Sequence, residues 1–404
     1  MKRLLILGAG TSGTMMANHL NGVLDKNEWE IAIVEESKIH YYQEGYIFIP
    51  FDVYTTDEVC RPTAEFIPNG ISFINEKIDR ILPEENRVLL DSGKALDYDI
   101  LIIATGARIS PEATHGMQGS QWRKSVFDFY TLDGCIAMRD KIRNWEGGRF
   151  VVQVADLPIK FSLAPFEFVF LADTHFKELG MRDNVDLVFV TQLESELAEH
   201  ELYRTFKRLM EEKKIRIISG FDVKYVDNES KKIIDQNRLE IEFDLLATVP
   251  VNKGAALIER SGIGDELNYV PTERKTLQSK VRPNIFVIGD ASNVHSSKTG
   301  SVALFEAEVL TENILRFAGG KQLMDDFEGH ANCFVETGDG KALLLDFNFN
   351  LKSQVEALPN SGLGTARIRK ESRMNHFGKL AYRWIYWNML LRGSHFPYVS
   401  PHFN

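Results

Sequence analysis

Residues 4–35 constrain this chain more than any other stretch. Leu4-Leu5-Ile6-Leu7 is an apolar run of the kind that forms a buried parallel strand. Gly8-Ala9-Gly10-Thr11-Ser12-Gly13 follows, Thr14 to Leu20 reads as the start of a helix, and a second apolar run, Ile31 to Val34, ends in Glu35. Strand, glycine loop, helix, strand and terminal acid together make a dinucleotide site. Gly8 makes the tight turn, Gly10 lets the backbone approach a pyrophosphate, and Gly13 lets the helix pack on the strand. The helix N-terminus offers N–H groups and a positive dipole end to the phosphates. Glu35, 22 residues beyond Gly13, is placed to accept from a ribose hydroxyl.

The rest of the composition narrows the class. With 404 residues there is room for two or three domains. The balance of 47 basic and 57 acidic residues gives a net charge of −10, and no long basic run exists, so nucleic acid is not an expected partner. Three cysteines without a CxxC argue against a disulfide scaffold or a zinc site, and no metal is expected. No stretch of apolar residues is long enough to span a membrane as a helix. Lys2-Arg3 before Leu4 resembles the start of a secretory signal, but the apolar run is too short and enters the glycine loop directly. The expected location is therefore the cytoplasm.

Strand and helix patterns alternate along the chain, which predicts an α/β fold. Ile100 to Ile103 reads as a buried strand ending in Ala104-Thr105-Gly106, a small turn suited to close cofactor approach. A second βαβ-like unit starts near Arg149, with a strand over Phe150 to Ala155 and a helix from about Pro165. Its connecting loop, Asp156 to Leu163, contains no glycine and cannot bring backbone to a pyrophosphate in the usual way. Val185 to Val190 and Ile215 to Ile218 continue this unit. From about Thr272 the chain returns to the first unit, with a strand over Asn284 to Ile288, then Gly289-Asp290-Ala291, then a helix over Ser301 to Leu315. Asp290 can hydrogen-bond a ribityl hydroxyl, and that helix can aim its N-terminus at a ring edge. Beyond Phe327 a hairpin is expected over Phe334–Glu336 and Ala342–Phe347, then loop over Glu356 to Ile368. His376 to Leu391 reads as a helix with Phe377, Leu380, Ala381, Trp384, Trp387 and Leu391 on one side and Lys379, Arg383 and Arg392 towards the other. Such a helix suits a membrane interface or, equally, a core or dimer contact.

The three fingerprints in this order, GAGTSG, ATG and GDA, resemble the FAD-binding half of the two-dinucleotide-domain flavoproteins. Within that group the chain is similar to the sulfide:quinone oxidoreductases and the flavocytochrome c sulfide dehydrogenases. The closer match is carried by Lys38 to Phe51, by Ile159-Lys160 with Ala164-Pro165-Phe166-Glu167, by Ser297-Lys298-Thr299-Gly300, by Cys333 and by the aromatic tail. The resemblance implies two Rossmann-like domains and a C-terminal region: 1–113 with 272–320 for FAD, 114–271 without a glycine fingerprint, and 321–404 for membrane or dimer association. It implies FAD as cofactor, held by Gly8, Gly10, Gly13, Glu35, Thr105, Gly106, Gly289 and Asp290. It also implies a reduced sulfur compound and a quinone as partners and a peripheral place on the membrane, and it leaves a homo-oligomer open.

One departure stands out. The resemblance implies two redox cysteines on one flavin face, but Phe161 stands where the central one belongs and Tyr130 where an upstream third often falls. Cys333 then bridges only if Cys60 or Cys135 comes within about 4.4–6.8 Å between Cα atoms. Cys333 is the candidate nucleophile and Lys298 the candidate cation near the flavin N1–C2 carbonyl or the quinone oxygen. Cys60 and Cys135 are expected to be inert. Glu167 is expected to stabilise a helix start rather than to accept protons, and His330, His376, His395 and His402 to be surface or packing residues. Two alternatives stay open: a flavoprotein fed by a protein partner or NADH, and a non-catalytic FAD-binding partner protein.

Overall fold

The computed structural model describes residues 1–157, 159–192, 201–294, 298–347 and 369–394. The expected loop at 356–368, Ser297, His395 and His402 lie outside the described residues.

Strand β1 (Lys2–Leu7) leads through the glycine loop into helix α1 (Thr11–Val23), and β2 (Trp29–Val34) returns parallel to β1. β3 (Ser72–Ile74) adds beyond β2, and β4 (Ile100–Ile103) pairs with β1 on its other side. Leu4 to Leu7 and Leu101 to Ile103 are fully buried. Side chains alternate across the sheet, so both faces must be covered for an unbroken apolar run to form. The chain then enters a second parallel sheet, in the order 126–128, 245–249, 148–154, 185–190, 216–218. Helix α2 (Ala164–Glu178) covers this sheet, and Pro165 sits in its first turn, where a missing N–H costs nothing.

Strand β5 (Ile285–Val287) rejoins the first sheet beside β4, giving the order β5-β4-β1-β2-β3, and helix α3 (Gly300–Ala318) follows it. Thr299 caps α3 by accepting from the Val302 N–H at 3.3 Å. The hairpin of β6 (Ala331–Gly338) and β7 (Lys341–Phe347) turns at Asp339 and Gly340, both at positive φ, as a two-residue twisted hairpin turn requires. Helix α4 (Arg373–Asn388), capped by Ser372, packs on this hairpin.

The face that α4 buries cuts across the expected grouping. Lys379, Tyr386 and Trp387 are buried, as are Leu390 and Leu391 in the turn that follows, whereas Met374, Phe377 and Trp384 are 81%, 66% and 62% exposed. Lys379 is drawn inward because Glu167 waits inside for it. The aromatic rings Phe377 and Trp384 are left on the outer side, apart from Trp387, which stacks on Phe66.

Candidate functional site

A cavity of about 1140 Å³ lies between the two sheets and the C-terminal hairpin. That exceeds the roughly 300–1,000 Å³ of ordinary small-molecule sites. At one end it is lined by Gly8 to Ser12 and Glu35, and at the other by Phe161, Cys333, Lys379 and Tyr382.

The first end is built by close approach. Gly8 has φ +95°, and a Cβ there would stand 2.5 Å from the Ala104 carbonyl oxygen. Gly13 does not line the cavity; a side chain on it would collide with the Gly8 carbonyl, so it sets the distance between α1 and the loop. Glu35 accepts from the Ala9 N–H at 2.9 Å and the Ser37 N–H at 2.8 Å, which fixes its carboxylate at the mouth of the loop. Thr105 and Gly106 lie across from it, and the Thr105 hydroxyl is buried with no hydrogen-bond partner. Such an orphan on a cavity wall fits a polar ligand that would satisfy it. A dinucleotide of the FAD type therefore fits the residues present.

The middle of the cavity is lined by Asp290, Lys298 and the start of α3. Gly289 stands just behind, its N–H donating to Glu306 at 2.7 Å. Lys298 Nζ turns back to donate to the Ser292 carbonyl at 2.6 Å, and burial lowers its pKa. Lys160 enters from the glycine-free loop, 3.9 Å from Asp290, and donates to Gln43 at 3.1 Å. Glu44 accepts from the Gly300 N–H at 3.1 Å at the N-terminus of α3, and burial raises its pKa.

The far end is aromatic and charged. Phe161 holds a left-handed backbone, φ +36°, and the Tyr130 hydroxyl donates to the Lys160 and Phe161 carbonyls at 2.6 and 3.2 Å. Lys379 Nζ lies 5.6 Å from the Phe161 ring centroid and 3.0 Å from Glu167. Cys333 lines the same wall, on β6 opposite Leu345. Cys60 and Cys135 do not line the cavity. Cys135 is fully buried, and burial pushes both thiols up, away from the reactive thiolate.

Glu167 departs from its expected role. It lies in the first turn of α2 but makes no cap; its side chain is fully buried, pairs with Lys379 and accepts from the Glu336 N–H at 3.1 Å. His376 is bonded to Glu336 rather than standing alone at the surface, and His330 stacks on Phe305 at the cavity. Lys379, Tyr382, Glu44 and Glu336 were not singled out by the sequence. The available signal was the stripe Lys379, Tyr382, Tyr386 at helical spacing, one cation inside an aromatic face.

No model of a protein family matches the chain. A mitochondrial sulfide:quinone oxidoreductase of Dictyostelium discoideum is 26% identical over 400 residues, 98% of this chain and 87% of the relative. The mitochondrial sulfide:quinone oxidoreductase of Mus musculus is 23% identical over 398 residues, 96% of this chain and 86% of the relative. The crystal structure of the sulfide:quinone oxidoreductase from Aquifex aeolicus superposes with a TM-score of 0.81 at 19% identity, covering 98% of this chain and 92% of that one. The chain is a sulfide:quinone oxidoreductase-like flavoprotein, and an enzyme.

Proposed function

We propose that the protein passes two electrons from a reduced sulfur compound through FAD to a quinone. The observation that carries this reading is the single cavity that joins the glycine loop to Cys333. Gly8 to Ser12 and the start of α1 would hold the diphosphate, Glu35 a ribose, and Thr105, Gly106, Asp290 and the start of α3 the remainder. Bound FAD would supply two-electron redox chemistry between donor and acceptor. Cys333 would hold the sulfur, on the same wall of the cavity as the Lys379 ammonium. Lys298 and Lys160, which both line the cavity, would supply positive charge for the negative charge that reduction builds.

The exposed Met374, Phe377 and Trp384 on α4 would rest on a membrane surface, from which a quinone would enter. Among the described residues no helix is long and apolar enough to cross a membrane. Co-sedimentation with anionic lipid vesicles should fall when Phe377 and Trp384 are changed to Glu. A loss of dimer instead would assign the face to a second subunit.

Anaerobic stopped-flow tests the main reading. Sulfide should bleach the flavin band, a short-chain quinone should restore it, and Cys333→Ser should abolish the bleaching. One observation favours a second reading, in which the flavin is kept and the donor changes. Phe161 replaces the cysteine that the resemblance implies, and neither other thiol reaches the cavity. No bleaching by sulfide, with reduction by NADH or a protein donor, would select that reading.

A further inference from the structure

The glycine loop is held from outside as well as from within. Tyr386, on α4, is fully buried, and its hydroxyl lies 2.7 Å from Thr11 Oγ1 and 2.7 Å from His40 Nε2. His40, 2% exposed, places Nδ1 3.0 Å from the Ala9 carbonyl. Ala9 and Thr11 flank Gly10, and all three line the cavity. The two ends of this chain of bonds therefore fall on either side of the residue where backbone would meet a diphosphate.

The direction of each bond is forced. Burial, against the bond to Ala9, lowers the His40 pKa to about 4, so the imidazole is neutral and carries one proton. A carbonyl oxygen only accepts, so that proton sits on Nδ1 and is donated to Ala9. Nε2 is left as an acceptor and takes the Tyr386 proton. The Tyr386 oxygen then accepts from the Thr11 hydroxyl. The Tyr41 carbonyl, 3.5 Å from the Tyr386 hydroxyl, is too distant to compete.

These bonds orient backbone. The Ala9 carbonyl also accepts from Thr14 Oγ1 at 2.9 Å. A trans peptide points its C=O and N–H opposite ways, so two donors on the Ala9 oxygen fix the direction of the Gly10 N–H. Thr11 opens α1, where the first N–H groups have no partner inside the helix. Anion binding at a helix start depends on where such groups point. Packing needs none of this, since a Phe ring at 386 would fill the same space beside Tyr42.

We propose that Tyr386 and His40 are positioning residues for the diphosphate of FAD, and that docking of α4 and binding of FAD are coupled through them. The proposal rests on the glycine loop holding FAD, and not on the donor or the acceptor. Such coupling is reciprocal: the factor that docked α4 contributes to FAD affinity is the factor that FAD contributes to the docking of α4.

The test uses the full chain, stripped of FAD and titrated with it, with flavin fluorescence reporting binding. Tyr386→Phe should raise the Kd about tenfold, the scale of one hydrogen bond. Hydrogen exchange gives the reciprocal reading. Saturating FAD should slow exchange of the α4 amides in the wild type, and in Tyr386→Phe that slowing should shrink by the same factor. A hydroxyl that served only the stability of the fold would lower the melting temperature equally with and without FAD and leave both quantities unchanged. Nitrogen NMR adds a check that needs no change in α4. In the FAD-loaded protein the His40 imidazole should carry its proton on Nδ1, the signal being assigned by its loss in His40→Gln. An unaltered Kd in Tyr386→Phe, α4 exchange indifferent to FAD, or a proton on His40 Nε2 overturns the proposal. A wild-type chain that takes up no FAD would overturn the FAD reading itself, and the proposal with it.

Discussion

Two loops of this molecule occupy the same place in the same kind of unit and do opposite things. Each follows a buried parallel strand and opens a helix. The loop from β1 to α1 is stripped to backbone: Gly8 at φ +95° lets the chain turn against Ala104, and Gly10 faces open space. The loop from 156 to 163 is filled by its own side chains. Ile159 and Leu163 are buried, Phe161 packs on the core, and Tyr130 and Asn252 hold its backbone. A βα crossover alone therefore does not make a nucleotide site; the absence of side chains does. The second unit keeps the architecture and lends its loop to the wall of the first unit's cavity.

The contrast can be broken most severely at Gly13. Gly13→Val should abolish FAD retention, read as flavin absorbance per chain, because any Cβ there meets the Gly8 carbonyl. The matching change in the second loop, Phe161→Gly, should leave FAD in place and should not create NADH binding, measured by titration calorimetry.

Next in size is the ion pair that anchors the second loop's helix. Lys379→Met leaves Glu167 buried and unpaired, and should cost about 3–5 kcal/mol in urea unfolding. The double variant with Glu167→Gln should recover most of that loss. Tyr130→Phe removes one hydroxyl that donates to two carbonyls of the second loop, and should cost about 1 kcal/mol.

The smallest effect is a pH slope. Because the folded-state pKa of Glu336 is raised, its protonated form favours the fold. That contribution is complete below the unfolded carboxyl's ordinary pKa and is lost as pH rises through about 8. Glu336→Gln should therefore flatten the decline in stability between pH 5 and 8.

The first loop was legible from sequence because its signal is local: glycines, flanking apolar runs and an acid at fixed spacing. The strands at 100–103 and 285–287 were legible for the same reason, as was the hairpin turn. The far end of the cavity was not. Glu167 and Lys379 are separated by 212 positions, and nothing near Glu167 distinguishes a helix-stabilising acid from one half of a buried pair. Which side of α4 faces outward was not legible, for a related reason. Helical spacing groups Phe377 and Trp384 with Trp387, but the buried side is chosen by the partners of Lys379 and Tyr386, which lie on other segments.

Those partners carry a consequence for how the protein comes into being. The Tyr386 hydroxyl bonds Thr11 at 2.7 Å and His40 at 2.7 Å, and the Leu391 carbonyl accepts from Asn18 at 2.9 Å. The glycine loop is translated more than 350 positions before these supports. Synthesis lays down β1 and β2 long before β5 and α4. Cofactor capture thus waits for α4, and a nascent chain stalled before α4 would present an open cleft to the cell's quality control.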